Sequence, residues 1–230
     1  PARSEMCIRD RKKLCIVGGM GPLATSDCYT RIIEKSPATK DQEHIETLII
    51  SDCLMPDRTK SIISGDSKEL LEHFKNNFKM AEVWGADFII IPCNTSHFYY
   101  DEFVKMTDIK ILNMIHLAAK KASDRTYVFA TEGTFKSQIY KRYLEQENKE
   151  YLPLTDEEKR VSNETIYRIK QGEEPELSNF PEFKKMLEEK SEKAGVILAC
   201  TELSLFDITN DNVIDAMNVL VDETVKEAYA

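Results

Sequence analysis

The feature that most constrains this chain is a series of short, unbroken apolar runs separated by longer amphipathic stretches. The runs fall at residues 14–17, 47–50, 88–91, 111–112, 127–130, 196–199 and 213–214. A strand with one face in water alternates apolar and polar residues, whereas a continuous run belongs to a strand buried on both faces, as in a parallel sheet. Between the runs lie helical patterns. The clearest covers residues 67–84, where Leu70, Leu71, Phe74, Phe78 and Ala81 recur at helical spacing, with Asp66 or Ser67 to cap the start and Gly85 to close it. Others cover 25–35, stopped by Pro37, 156–170 before Gly172, and 181–193 before Gly195. The alternation predicts an α/β chain with mainly parallel sheets flanked by helices.

The chain also resembles itself. LCIVGGMGPLAT from Leu14 is matched by YVFATEGTFKS from Tyr127, FIIIPCNTS from Phe88 by GVILACTELS from Gly195, and ILNMIHLAAKKA from Ile111 by VIDAMNVLVDET from Val213. Three correspondences in one order predict two similar lobes. They also place Cys93 and Cys200 in equivalent positions.

Composition narrows the function classes. With 230 residues, 42% of them apolar, the chain can bury a substantial core. Forty acidic against 31 basic residues give a formal charge of -9, and no basic cluster interleaved with aromatics is present, so nucleic acid is not an expected partner. No apolar run approaches the roughly 20 residues of a spanning helix, and the first dozen residues lack the apolar centre of a signal peptide. A cytoplasmic protein with no membrane partner is expected. Residues 1–12 read as a frayed or appended end outside the fold. The six cysteines form no C-x-x-C pair and the four histidines complete no ligand spacing, which favours free thiols over disulfides and argues against a metal site.

Cys93 and Cys200 each follow an apolar strand and precede polar residues, Asn94-Thr95-Ser96 and Thr201-Glu202. Each thiol would then stand at a strand's carboxyl end, the edge where open α/β sheets bind ligands. If two such edges face each other, two thiols meet one ligand from opposite sides. The backbone N–H groups and hydroxyls that follow each cysteine are expected to lower its thiolate pKa and hold an anion. A single cysteine in this setting is more simply a buried core thiol; the pairing is what argues for chemistry. Gly18-Gly19-Met20-Gly21-Pro22 lies between a strand and a helix and reads either as an anion cradle or as a tight turn, matching neither the P-loop nor the dinucleotide fingerprint. Thr131-Glu132-Gly133-Thr134 ends the equivalent strand of the second lobe. Arg58 is placed in a loop after the second strand, where its planar fork suits a carboxylate. Lys170 ends a helix and either reaches the same cleft or serves as a last-turn charge. His97 reads as a packing or hydrogen-bonding residue, and the acidic runs as solvated faces.

Taken together, GGMGPLAT (18–25), PDRT (56–59), PCNTSH (92–97), ATEGT (130–134) followed by Tyr140, and ACTEL (199–203) resemble the aspartate/glutamate racemase family, in its aspartate racemase branch. The resemblance runs from Leu14 to the end of the chain. It implies two parallel-sheet lobes related by a pseudo-twofold axis with the active site between them: lobe one at 13–109 plus 212–230, the last helix returning to it, and lobe two at 110–211. It further implies a homodimer, racemisation of a small acidic amino acid without a cofactor, and Cys93 and Cys200 as the catalytic pair. Arg58 matches the position that holds the side-chain carboxylate and Lys170 a second carboxylate position. Met20, Asn94, Thr95, Ser96, Thr134 and Thr201 match substrate-lining positions. Ser96 stands where the family often has Ala, and Ala199 where Gly is common, which bears on pocket shape and so on the choice between aspartate and glutamate.

Two thiols flanking one carbon are the smallest set that removes a proton from one face and supplies one to the other. The competing readings are a maleate isomerase or decarboxylase of the same superfamily, in which one cysteine attacks carbon, and a non-catalytic acidic-ligand binder or redox-sensing thiol protein.

Overall fold

Eight strands form two wholly parallel four-stranded sheets in the computed structural model, which describes residues 11–230. The strands are β1 (Leu14–Gly18), β2 (Thr47–Ser51), β3 (Phe88–Ile90), β4 (Lys110–Ile111), β5 (Arg125–Phe129), β6 (Glu150–Tyr151), β7 (Gly195–Leu198) and β8 (Val213–Asp215). The first sheet has the order β2-β1-β3-β4 and the second repeats it as β6-β5-β7-β8. The ladders sharpen the internal repeat. Leu14 pairs with Phe88 and Thr126 with Gly195, so Leu14 corresponds to Thr126, one residue before the match read from sequence. Ile89 pairs with Ile111 and Val196 with Val213, in keeping with the Ile111–Val213 match.

Ten helices flank the sheets: α1 (Pro22–Lys35), α2 (Arg58–Ser64), α3 (Lys68–Trp84), α4 (Tyr100–Phe103), α5 (Met114–Lys121), α6 (Glu132–Ser137), α7 (Ile139–Gln146), α8 (Asp156–Lys170), α9 (Pro181–Ser191) and α10 (Ala216–Ala228). Local chemistry sets their ends. Pro22 starts α1, where its missing N–H costs nothing, Thr155 and Glu158 form a reciprocal capping box on α8, and Gly85 closes α3 in the left-handed conformation.

Strand alternation divides the first lobe's interior. Leu14, Ile16, Phe88 and Ile90 enter one apolar cluster, together with α1, α5, α10 and the second lobe. Cys15, Val17, Ile89 and Ile91 enter another, with Leu70, Phe74 and Phe78 of α3 and Phe103 of α4. The first of these clusters runs through both lobes, so the lobes are joined by a continuous apolar seam.

Three sequence readings are corrected, and one strand was not read at all. The strand β2 lies at a sheet edge and leaves Ile49 39% exposed, so its apolar run does not mean burial on both faces. The two-residue strand β6 carries no apolar run and left no sequence signal. The sheets change over later than the expected lobe limits: Lys110 and Ile111 pair in the first sheet and Val213–Asp215 in the second. The polypeptide therefore crosses after β4 and again after β8, because each final strand pairs before the chain leaves. The expected loose end at 1–12 is also shortened, since the backbone N–H of Lys12 donates to Ala228 O at 3.1 Å and its ammonium pairs with Glu227 at 2.7 Å. Residues 1–10 lie outside the described residues.

On the face opposite the apolar seam, α2 of one lobe meets α6 of the other. Gly133 of α6 permits this approach, because a Cβ there would stand 2.7 Å from Thr59 Oγ1 and 2.9 Å from Thr59 Cα. Gly133→Ala is expected to destabilise the protein by about 1–3 kcal/mol through overpacking, measured by urea unfolding; unchanged stability would show that α2 and α6 do not meet in solution.

Candidate active site

Each sheet has one place where successive connections leave in opposite directions: between β1 and β3, and between β5 and β7. Such a switch point opens a crevice at the strands' carboxyl ends. The turn after β1 and Cys93 after β3 flank the first; Thr131 after β5 and Cys200 after β7 flank the second. The two crevices meet in one narrow cleft lined by Met20, Asp57, Arg58, Thr59, Cys93, Asn94, Thr95, Thr131, Tyr167, Lys170, Cys200, Thr201 and Glu202. The free space within it is about 20 Å³, room for about one water molecule.

Local structure holds each side chain. The turn at 18–22 is tight: Gly19, at φ +88°, packs where a Cβ would meet the Asp52 backbone at 2.5 Å, and its N–H donates to Thr25 Oγ1 at 2.9 Å. The turn carries Met20 into the cleft. Of the two readings of this segment, the tight turn is what the contacts show. Asp57 caps α2 by accepting from the Lys60 N–H at 2.8 Å, which makes Arg58 the first residue of that helix rather than a loop residue. Arg58 donates through Nη1 to Pro56 O at 3.0 Å, while its buried Nε has no partner among the described residues.

The Cys93 side is organised by buried neutral hydrogen bonds. His97 accepts from the Met114 N–H through Nε2 at 3.2 Å, so its Nδ1 carries the hydrogen and donates to Cys93 O at 2.9 Å. Both ring nitrogens are used on backbone, which bears out the structural reading of this histidine, and burial pushes its pKa down to about 4. Tyr140, buried in the second lobe, donates to Asn94 Oδ1 at 2.5 Å. That bond orients the amide and leaves Asn94 Nδ2 as a buried donor with no partner among the described residues. The Thr95 hydroxyl reaches across the lobes to those of Thr131 and Thr134 at 2.9 and 3.1 Å, and these two stand 3.2 Å from each other.

The Cys200 side is charged. Its Sγ donates to Glu202 Oε2 at 2.9 Å, Thr201 Oγ1 stands 3.4 Å from the same oxygen, and Lys170 Nζ stands 3.4 Å from Glu202 Oε1. Burial and the neighbouring Glu202 carboxylate push the Cys200 thiol well up, outweighing Lys170. The lowered pKa expected from the following turn is therefore not found at this cysteine. Burial alone would push the Lys170 ammonium down, but Cys200, Glu202 and Cys93 around it push it up.

The cleft brings together eight of the ten residues expected there: Cys93, Cys200, Met20, Arg58, Asn94, Thr95, Lys170 and Thr201. Ser96 and Thr134 stand behind the lining. Ser96 donates to Met20 Sδ at 3.3 Å, and Thr134 backs Thr95 and Thr131. The sequence reading passed over Glu202, Thr131 and the anchoring role of Tyr140, although all three lie in or just after motifs it singled out. The five described cysteines are free thiols. Among the described residues no group of three or more His, Cys, Asp or Glu side chains is placed to hold a metal, and no helix is long and apolar enough to cross a membrane.

The Asp/Glu/hydantoin racemase family model matches residues 17–224. The chain belongs to that family. Among curated relatives, the broad specificity amino-acid racemase RacX of Bacillus subtilis is 28% identical over 197 residues, covering 82% of this chain and 85% of that protein. Among solved structures, Picrophilus torridus aspartate racemase superposes with a TM-score of 0.77 at 26% identity, covering 94% of each chain. The glutamate racemase isoform RacE1 of Bacillus anthracis shares the fold at 15% identity, with a TM-score of 0.63 over 94% of this chain and 81% of that one. The two-lobe α/β architecture is thus that of racemase structures, and the motifs that carried the family resemblance are the ones that build the cleft.

The buried neutral His97 ties stability to pH. The unfolded chain takes up this proton near pH 6.5 and the folded chain only near 4, so the contribution is complete above about 6.5 and is lost as the pH falls towards 4. Between pH 7 and 4.5 the protein is expected to lose about 2 kcal/mol that a His97→Asn variant does not lose, measured by urea unfolding at both pH values. The same loss in both proteins would remove His97 as the cause.

Proposed function

We propose that the chain is a cofactor-independent amino-acid racemase that inverts a small acidic amino acid, aspartate first and glutamate with it, between Cys93 and Cys200. One observation carries the reading: two thiols from equivalent strand ends of two lobes line a single cleft with Arg58 and Lys170. In this reading one sulfur, as thiolate, takes the α-proton from one face while the other, as thiol, gives its proton to the opposite face. The developing negative charge falls next to donors already in place: the Lys170 ammonium, the unpartnered Asn94 Nδ2 and the threonine hydroxyls. Arg58, with an unused Nε, takes the side-chain carboxylate. Met20, Thr95 and Thr201 bound the substrate, with Ser96 and Thr134 setting the positions of Met20 and Thr95. A space of about 20 Å³ admits an amino acid only when the lobes part, and their closing excludes water from the carbanion. The family resemblance adds a homodimer.

The broad-specificity Bacillus subtilis relative supports a second reading in which the substrate range extends beyond acids; the two cations of the cleft favour the first. Incubating the reduced protein with L-aspartate and, separately, L-glutamate in deuterated water should wash out the α-proton signal and the optical rotation together. Exchange with neither acid, but with neutral amino acids, would favour the broader range, and exchange with no amino acid would refute the racemase reading. Cys93→Ala and Cys200→Ala should each lower racemisation at least about 100-fold, the usual scale of a lost general acid or base. Full rates in both variants would overturn the assignment.

Arg58→Lys keeps the charge but loses the planar fork. It should raise KM for the preferred diacid about tenfold or more with a smaller change in kcat, as expected where binding of substrate and transition state is lost equally. Unchanged kinetics would place Arg58 outside the substrate's reach.

A further inference from the structure

We infer that Glu202 is a positioning residue that assigns the resting proton of the thiol pair, holding it on Cys200 and leaving Cys93 as the thiolate that begins turnover. This rests on the racemase reading and deepens it. Two thiols that share one proton are chemically symmetric, but their surroundings in this cleft are not.

Cys200 Sγ lies 2.9 Å from Glu202 Oε2. The other oxygen of that carboxylate faces Lys170 Nζ at 3.4 Å. An ionised carboxylate accepts hydrogen bonds and donates none, so the hydrogen between Sγ and Oε2 sits on sulfur. Removing it would leave a thiolate and a carboxylate 2.9 Å apart in a buried site, a repulsion that low dielectric strengthens. No carboxylate is bonded to Cys93 among the described residues; its surroundings supply neutral groups, Asn94 and the backbone-bound His97, while the Lys170 ammonium faces both sulfurs. The remaining acid at the cleft, Asp57, is engaged with the Lys60 N–H on α2. The structure thus places its one carboxylate–thiol contact on one half of an otherwise duplicated pair.

The proton movements balance as follows. Cys93 thiolate takes the α-hydrogen as a proton and becomes a thiol, leaving its bonding electron pair on carbon. That pair then takes the Cys200 proton on the opposite face, leaving a Cys200 thiolate beside Glu202. One proton must then pass from Cys93 to Cys200, through water or through Glu202, before the resting state returns. Glu202 therefore favours one of the two free-enzyme forms. Because the equilibrium constant of racemisation is one, kcat/KM must stay equal in the two directions, so the asymmetry is read at the sulfurs themselves.

Alkylation reports thiolate, and the two cysteines are equally buried, each 6% exposed. The parent protein and Glu202→Gln are treated with limiting iodoacetamide near pH 7, and each cysteine peptide is quantified by mass spectrometry, with exposed Cys53 as the internal standard. In the parent, Cys93 should label at least about tenfold faster than Cys200, the ratio given by one unit of pKa difference. In Glu202→Gln that ratio should fall about tenfold with Cys53 unchanged. Glu202→Asp, whose shorter side chain withdraws the carboxylate from Sγ, should give an intermediate ratio and serves if the Gln variant does not fold. Faster labelling of Cys200 in the parent, or the same ratio in parent and variants, would overturn the assignment. Failure of the racemase reading would appear separately, as absence of α-proton exchange in the parent with any labelling ratio.

Discussion

Burial of the sheets between helices leaves the carboxyl ends of the strands as the place where polar chemistry can be held. Leu14, Ile16, Phe88 and Ile90 fill one side of the first sheet and Cys15, Val17, Ile89 and Ile91 the other. Side chains on those strands are therefore committed to packing, and each polar residue of the cleft follows a strand or lies on a neighbouring helix. Because both lobes use the same strand order, the two crevices carry equivalent thiols. Duplication of one strand–turn unit thus gives a two-sided site without separate invention of each side.

The two faces of the lobe contact differ in chemistry. At the back, α10 packs against α5 and α1 within the apolar cluster that runs through both lobes, so separation there would expose apolar surface to water. Arg31 of α1 reinforces this side, bonding Asp215 Oδ2 and Asn218 Oδ1 at 3.0 and 2.9 Å and Ser204 O at 2.5 Å. At the front, the lobes meet through Gly133 against Thr59 and through hydroxyl–hydroxyl bonds between Thr95, Thr131 and Thr134. Exchanging these bonds for bonds to water costs little net free energy. The seam is therefore the more strongly held side by apolar burial, and Ser204, in the segment that follows Cys200, is tied to it through Arg31.

Much of this was legible in the sequence, and the exceptions have physical causes. Continuous apolar runs revealed the buried strands β1, β3, β5 and β7, but the same kind of run at 47–50 belongs to an edge strand, because periodicity reports side-chain character and not what lies beside the strand. Glu150–Tyr151 pairs with β5 over two residues only, helped by the Arg125–Glu150 ion pair at 2.9 Å, and two residues are too few to show a run or a period. The cysteine pair could be found because duplication wrote it twice. Glu202 could not be ranked above other acids, since its importance comes from lying between Lys170 and Cys200. Likewise nothing local in Tyr140 foretells that its hydroxyl crosses to Asn94; that contact exists only once the lobes are assembled.

The charges of the cleft explain why an acidic ligand is the natural one and why the two thiols differ. Arg58 and Lys170 bring two cations, and Asp57 and Glu202 bring two carboxylates, the first engaged with the Lys60 N–H and the second, buried, with Cys200 and Lys170. In the proposed racemisation a dicarboxylate amino acid would meet one cation with each of its carboxylates, and Glu202, bonded to Cys200 alone of the two thiols, makes their surroundings unequal. Without Glu202, Lys170 would stabilise either thiolate. With it, the same ammonium is drawn to the carboxylate beside Cys200, and the symmetry inherited from the fold is broken by one side chain.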